Sequence, residues 1–250
     1  MTYKRLIPKI VVVKSHQLEK VVYKSILTRG YQPYRIIGNP LRQQSILQDH
    51  VVDEIVLINK RSNESFGRDG DFEHFLSLFC SSMLTPLTVG GGIKTFDHAK
   101  YLFSLGVDKV VVSQIGLERF FVKKVIDSYG RQAISFSFDY QENDKAKLDE
   151  LKQQIFNFLE EGFGELILNN TSRDGAAIGI DHLLLKEISR TVDVPVVIGC
   201  GAKGVADIAA AFKIGADGVS TSTFLSATDQ SPKQIRAHLH SMGINIRVSN

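Results

Sequence analysis

The chain has 250 residues, of which 43% are hydrophobic, a formal net charge of +3 and two cysteines. That length suits one closed α/β barrel or two small domains, and so weak a charge gives no case for nucleic acid. Two cysteines make no disulfide framework and suit a reducing compartment. No apolar run reaches the roughly 18 residues of a membrane span, and Met1-Thr-Tyr-Lys-Arg5 has no signal-peptide layout. The expectation is a soluble, cytoplasmic protein without a membrane anchor.

In chain order, apolar runs too short for a helix fall at residues 6–13, 54–58, 87–89, 109–112, 133–138, 166–168, 194–198 and 218–220. Runs that are apolar without alternation mark strands buried on both faces, as in a parallel sheet. Helical spacing of apolar residues comes after them at 41–49, 72–83, 96–105, 120–129, 145–161, 182–191, 205–214 and 232–242. Ser231 before Pro232 is a helix start. Eight strands alternating with eight helices predict an α/β fold of the (β/α)₈ TIM-barrel type. An open doubly wound sheet is the runner-up.

Two segments exceed the minimal unit. Residues 15–38, after the first strand, are basic and aromatic, with Lys20, Tyr23, Lys24, Arg29, Tyr31, Tyr34 and Arg35. Residues 60–71, after the second, are polar. Both come after strands, so both fall on the C-terminal face, where such barrels build active sites, and their length suggests mobile lids. A solvated insertion is the alternative for each of them.

The chain repeats itself. The stretch from Leu87-Thr-Val-Gly-Gly-Gly-Ile-Lys94 to Ser113 aligns without a gap on the stretch that contains Val197-Ile-Gly-Cys-Gly-Ala-Lys203 and runs to Ser222. Gly90 meets Gly199, Gly92 meets Gly201, Lys94 meets Lys203, Phe103 meets Phe212, Gly106 meets Gly215, Asp108 meets Asp217 and Ser113 meets Ser222. Residues 53–59 resemble 164–170, and the first strand pairs with the fifth. A long internal period marks a duplicated unit. The expectation is one barrel domain over 1–250, built from half-barrels at about 1–130 and 131–250. An open sheet would need no such duplication.

Glycines directly after a buried strand let the backbone approach a ligand, and their N–H groups can bind an oxyanion. Gly91 and Gly92 with Ser113, and Gly201 with Ser222, therefore read as two phosphate cradles on opposite sides of one mouth. Tight strand–helix packing is the alternative. Arg173-Asp174-Gly175, after the sixth strand, reads either as a sugar- and phosphate-binding turn or as a plain Asp-Gly turn. Asp139 ends the fifth strand, where a carboxylate is a candidate general acid/base. Its counterpart on the first strand is Val11, with Lys9 and Lys14 as nearby cations that could compensate. Arg5, Glu54, Lys109 and Glu165 each stand near a strand start and would gather at the opposite, N-terminal face. They read either as a stabilising ion-pair ring or as a gate into the barrel. No residue pattern points to a metal or a cofactor.

Through these residues the chain resembles HisF, the cyclase-subunit family of imidazole glycerol phosphate synthase. The likeness runs through Lys4-Arg-Leu-Ile-Pro8, Gly38-Asn-Pro40, Thr88-Val-Gly-Gly-Gly-Ile93, Asp108-Lys109, Phe138-Asp139, Gly164-Glu165, Arg173-Asp-Gly175, Gly215-Ala-Asp217 and Gly243-Ile-Asn-Ile-Arg247. It implies a barrel whose bottom docks a HisH-like glutaminase and whose lumen carries ammonia to a bisphosphorylated substrate at the top. It places the ammonia gate on Arg5, Glu54, Lys109 and Glu165. It places the phosphate sites on Gly92, Ser113 and Gln114, and on Asp174, Gly175, Gly201, Ser222 and Thr223. Of the family's two catalytic aspartates only Asp139 is present; the other position is Val11, and Asn59 stands where a further acid would be. Valine cannot shuttle a proton, and losing one member of an acid/base pair costs about 10²–10⁴ in rate. The pattern is closer to the WbuZ-like paralogues of surface-polysaccharide clusters. That resemblance implies ammonia delivery for acetamidino-sugar (lipopolysaccharide, O-antigen) biosynthesis, with an N-acetyl sugar amidotransferase as further partner. The alternatives are an authentic cyclase/lyase of histidine biosynthesis and a non-catalytic scaffold for the glutaminase.

Overall fold

The computed structural model describes residues 2–17, 20–60, 70–113, 118–141 and 145–248. Eight parallel strands close into a barrel: β1 (Arg5–Gln17), β4 (Ile55–Asn59), β5 (Leu87–Gly90), β6 (Lys109–Ser113), β7 (Ile134–Tyr140), β8 (Glu165–Asn170), β9 (Val196–Gly199) and β10 (Gly218–Thr221). The ring shuts where Arg5 pairs with Gly218 and Pro8 with Thr221. Between β1 and β4 the chain adds two antiparallel strands, β2 (Lys20–Arg29) and β3 (Gln32–Gly38).

The α-helices among the described residues are α1 (Pro40–Asp49), α2 (Gly70–Ser81), α3 (Phe96–Ser104), α4 (Arg119–Tyr129), α5 (Lys145–Leu159), α6 (His182–Ile188), α7 (Val205–Ile214), the short α8 (Thr223–Ala227) and α9 (Pro232–Ser241). Ser231 starts α9 as a capping box with Gln234, and Pro232, which lacks an N–H to satisfy, sits in its first turn. Asn39 and Thr95 cap α1 and α3 through their side chains. Among the described residues no helix is long and apolar enough to cross a membrane.

The unalternating runs have a simple cause. Leu6, Ile10 and Val12 of β1 pack outward in the main core, while Ile7 turns inward to join Val56, Val111, Ile167 and Val197. Both faces of a barrel strand are thus apolar. Part of the repeat is structural. Asp108 accepts the Leu87 N–H at 2.8 Å, and Asp217 accepts the Val196 N–H at 3.1 Å. Each aspartate ties the start of its strand to the start of the strand before.

Residues 15–38 are not a separate insertion. β1 runs on to Gln17 and pairs with β2 from Val11–Ile26 to Gln17–Lys20. Tyr23 of β2 is buried, stacked on Phe75 at 4.8 Å and edge-on to Phe72 at 5.4 Å, both on α2. The segment expected as a lid is a hairpin pinned to the core, because its β-branched and aromatic residues suit a pleated, half-buried surface. In the second long segment, residues 61–69 lie outside the described residues.

Candidate functional site

At the N-terminal end of the barrel, Arg5, Glu54, Lys109 and Glu165 form a closed ring of alternating charge. Arg5 bonds Glu54 at 2.6 Å and Glu165 at 2.5 Å. Lys109 lies 2.9 Å from Glu165 and 3.3 Å from Glu54. Thr88 and Ser135 donate to the two carboxylates at 2.6 and 2.9 Å. Burial pushes Glu165 up, but Lys109 and Arg5 outweigh it and hold the carboxyl below the ordinary Glu value. Burial likewise opposes the Arg5 charge, and Glu165 and Glu54 more than compensate.

Above the ring lies a cavity of about 700 Å³. Glu54 and Glu165 line its lower end; Ile7, Val56, Val111, Ile167 and Val197 wall its middle. Lys9, Tyr31, Asn59, Gly91, Gly92, Ser113 and Asp139 line its upper part. Ion-pair ring, apolar collar and polar mouth therefore share one space. A small neutral molecule could cross the collar; an ion would lose its hydration there without a partner.

Asp139 stands near the end of β7 and accepts hydrogen bonds on Oδ1 from the Tyr31 hydroxyl at 2.8 Å, from Ser137 at 3.2 Å and from Asn169 at 3.2 Å. Burial nevertheless wins, and the carboxyl stays above its ordinary value, although these donors and the Lys9 charge pull it down. Lys9 lies two residues before Val11 on β1, on the same inward face. Burial opposes its ammonium, and the negative charges of Cys200, Asp174 and Asp139 outweigh that. The Cys200 thiol is itself pushed up to about 12, first by burial, so at neutral pH the carboxylates are the counter-charges. Lys14, the other candidate cation, pairs with Asp71 of α2 at 3.1 Å. Val11 also lines the cavity and brings no titratable group.

The hairpin reaches over this mouth. Gly30 and Tyr31 both have positive φ, 55° and 64°, as a type I′ turn requires. The Gly30 N–H donates to the Asp174 carbonyl at 3.2 Å and the Tyr31 N–H to its Oδ2 at 2.9 Å. Cys200 completes a circuit, its thiol 3.7 Å from both Asn169 Oδ1 and Asp174 Oδ1.

The two glycine turns differ in setting. Gly91 and Gly92 have φ of 109° and 81°; a Cβ on Gly91 would strike the Asn59 carbonyl, whereas nothing lies within 4 Å of one on Gly92. With Ser113, this turn opens onto the cavity. Gln114 lies outside the described residues. Asp174, Gly175, Gly201, Ser222 and Thr223 do not line the cavity. Gly175 lies so close to the hairpin that a Cβ would strike the Thr28 carbonyl, and Gly201 packs against Gly179 in the same way. Ser222 Oγ is buried without a hydrogen-bond partner among the described residues. Among those residues no group of three or more His, Cys, Asp or Glu side chains could hold a metal ion.

Sequence reasoning named Asp139 and the charged ring but gave no role to Tyr31, Asn169 or Cys200. The parity of Lys9 with Arg5 and Val11 was the available signal for that lysine. Tyr31 reaches Asp139 only through the turn of the hairpin.

The model of the histidine biosynthesis protein family matches residues 16–228. A Prochlorococcus marinus protein, provisionally named imidazole glycerol phosphate synthase subunit hisF2, is 30% identical over 99% of both chains. A Campylobacter jejuni protein under the same provisional name is 28% identical over 98% of each. The imidazole glycerol phosphate synthase subunit HisF of Chloroherpeton thalassium is 29% identical, over 99% of this chain and 100% of its own.

Proposed function

Since this chain belongs to the histidine biosynthesis protein family, among its HisF-like barrels, we propose that it is the ammonia-using barrel subunit of a glutamine-dependent complex. The complex serves acetamidino-sugar formation. A HisH-like glutaminase docks over the charged ring at the N-terminal face and releases ammonia there. Ammonia passes the ring, crosses the collar of Ile7, Val56, Val111, Ile167 and Val197, and emerges beside Asp139. The acceptor is an N-acetyl sugar, or a phosphorylated form of it, presented with an N-acetyl sugar amidotransferase.

The observation that carries this reading is the continuity of the cavity from Glu54 and Glu165 to Asp139, in a mouth where Val11 and Asn59 supply no second carboxylate. Conduit and retained carboxylate suit delivery of ammonia; Val11 and Asn59 depart from the paired-aspartate pattern that the resemblance ties to ring closure. Passage requires one ion pair of the ring to part. Arg5 and Lys109 keep side-chain exposure of 24% and 17%, so the lower aperture meets the surface where a partner would sit.

A second reading, the cyclase/lyase of histidine biosynthesis, is favoured by the name of the Chloroherpeton relative and by the open Gly91–Gly92 turn beside Ser113. One assay separates them. The pure protein receives ammonium salt and the bisphosphorylated ribonucleotide substrate of the cyclase. Turnover at an ordinary cyclase rate would overturn the amidination reading. Little or no turnover, with gain of activity in Val11→Asp, supports it.

A further inference from the structure

We propose that Tyr31 takes the proton-transfer part that a carboxylate at position 11 would share with Asp139, so that this mouth works with a phenol–carboxylate pair. The proposal rests on the reading that ammonia reaches this mouth.

The geometry is specific. Val11 and Tyr31 line the same cavity, and Val11 pairs with Ile26, five residues before Tyr31 on the strand that carries the turn. The hairpin therefore leaves β1 beside the apolar position and returns a hydroxyl to the mouth, 2.8 Å from Asp139 Oδ1. Asn169 and Ser137 fix the other side of that oxygen. Tyr31 also holds a left-handed backbone with φ 64°, a conformation that is unfavourable for a non-glycine residue. Glycine or asparagine would make the turn more cheaply, but neither could reach Asp139. The titratable groups around the pair are Lys9, Asp174 and Cys200. Burial first, then its acidic neighbours, Asp139 and Asp174 among them, and the hydrogen bond to Asp139 hold the Tyr31 phenol well above its ordinary value, so it stands protonated and ready to donate.

The proton inventory closes. Ammonia forms a C–N bond to an electrophilic carbon that bears a leaving oxygen, such as the imidate carbon of an acetamido group whose oxygen a nucleoside triphosphate has phosphorylated or nucleotidylated on the partner amidotransferase. The nitrogen sheds a proton to Asp139. The C–O bond breaks with its electron pair on oxygen, which takes the phenolic proton of Tyr31. Asp139 then returns its proton to the phenolate along their existing hydrogen bond. Ammonia and acceptor enter; the C–N product and a protonated oxygen leaving group depart.

The test compares wild type, Tyr31→Phe and Tyr31→Phe/Val11→Asp in ammonium-driven turnover. Two acceptors are used: the acetamido sugar with its reconstituted partners and a nucleoside triphosphate, and the bisphosphorylated ribonucleotide. Phenylalanine keeps the ring and the backbone bonds to Asp174. The expected result is a kcat lower by about 10²-fold or more, a KM within about threefold, and recovery of at least about tenfold when Val11→Asp is added. An unchanged kcat, or a loss confined to KM, would overturn the assignment, as would wild type inert on both acceptors. Turnover of the ribonucleotide alone would sink the amidination reading while still testing Tyr31. Should Tyr31→Phe fold poorly, 3-fluorotyrosine at position 31 replaces it. Its more acidic phenol should move the alkaline limb of the pH–kcat profile downward; an unmoved limb refutes the role.

Discussion

Replacing Lys109 with Met removes a cation that two buried carboxylates share. Lys109 Nζ lies 2.9 Å from Glu165 and 3.3 Å from Glu54, and both glutamate side chains are only 7% exposed. Stranding a charge in a buried set costs about 3–5 kcal/mol. Arg5 still bonds both carboxylates in the variant, which puts the expected cost near the low end, about 3 kcal/mol. In a chain of this size each kcal/mol lowers Tm by about 2–4 °C, so the loss at pH 7 is roughly 6–12 °C. The pH dependence has a fixed sign. Burial raises Glu165, the cations outweigh it, and its folded pKa lies below the unfolded one. Its stabilisation is therefore present above the ordinary Glu value near 4.3 and is lost as pH falls through the lowered one. Thermal melts of wild type and Lys109→Met should differ fully at pH 6–7 and converge in acid only as pH falls through the lowered Glu165 value. Equal Tm values at pH 7, or a gap that persists in acid, would refute the reasoning.

Asp139→Asn should raise Tm at pH 7, because burial holds the carboxyl above its ordinary value and its ionised form costs stability; the gain should vanish below about pH 4, where wild type is protonated too. A lower Tm for the variant at pH 7 would contradict this. Gly91→Ala should cost about 2 kcal/mol or more, since its Cβ meets the Asn59 carbonyl at positive φ, and Gly92→Ala about 1 kcal/mol, where space is open; urea titrations that rank them the other way would be decisive against it. Burial pushes the thiol of Cys200 up to about 12 and that of Cys80 to about 11, so iodoacetamide at pH 8 should label Cys80 slowly and Cys200 only on unfolding. Rapid labelling of Cys200 in the folded chain would show that the circuit with Asn169 and Asp174 is not formed.

The barrel was legible because its strands are buried on both faces. Val110 and Val112 point to the helices and Val111 to the lumen, so the run carries no alternation to mistake for an edge strand. The ring was legible from four charges at strand starts, positions that only a closed barrel brings together. The hairpin was not. Its pairing carries register shifts at Ser25–Ile26 and Leu27–Thr28, which break the period of two that marks a strand. The repeat of Gly106-Val-Asp108 as Gly215-Ala-Asp217 stood beside the glycine turns without a role of its own, yet it builds the barrel floor. Helix α8, five residues long, is too short to show a helical period. The reach of Tyr31 depends on where a β-turn falls after ten residues of strand, which is a tertiary fact.

Passage of ammonia through the lumen is tested most directly by filling the collar. Val111 lines the cavity between the charged ring and the mouth, and Val111→Trp would obstruct it. In the complex with a HisH-like glutaminase, product formation from amide-¹⁵N glutamine is compared with product formation from added ammonium. Transit through the barrel predicts that Val111→Trp lowers glutamine-driven turnover by more than about tenfold while ammonium-driven turnover stays within about twofold, ammonium entering from the mouth. If both rates fall together, or if neither changes while the glutaminase stays bound, ammonia does not travel this way.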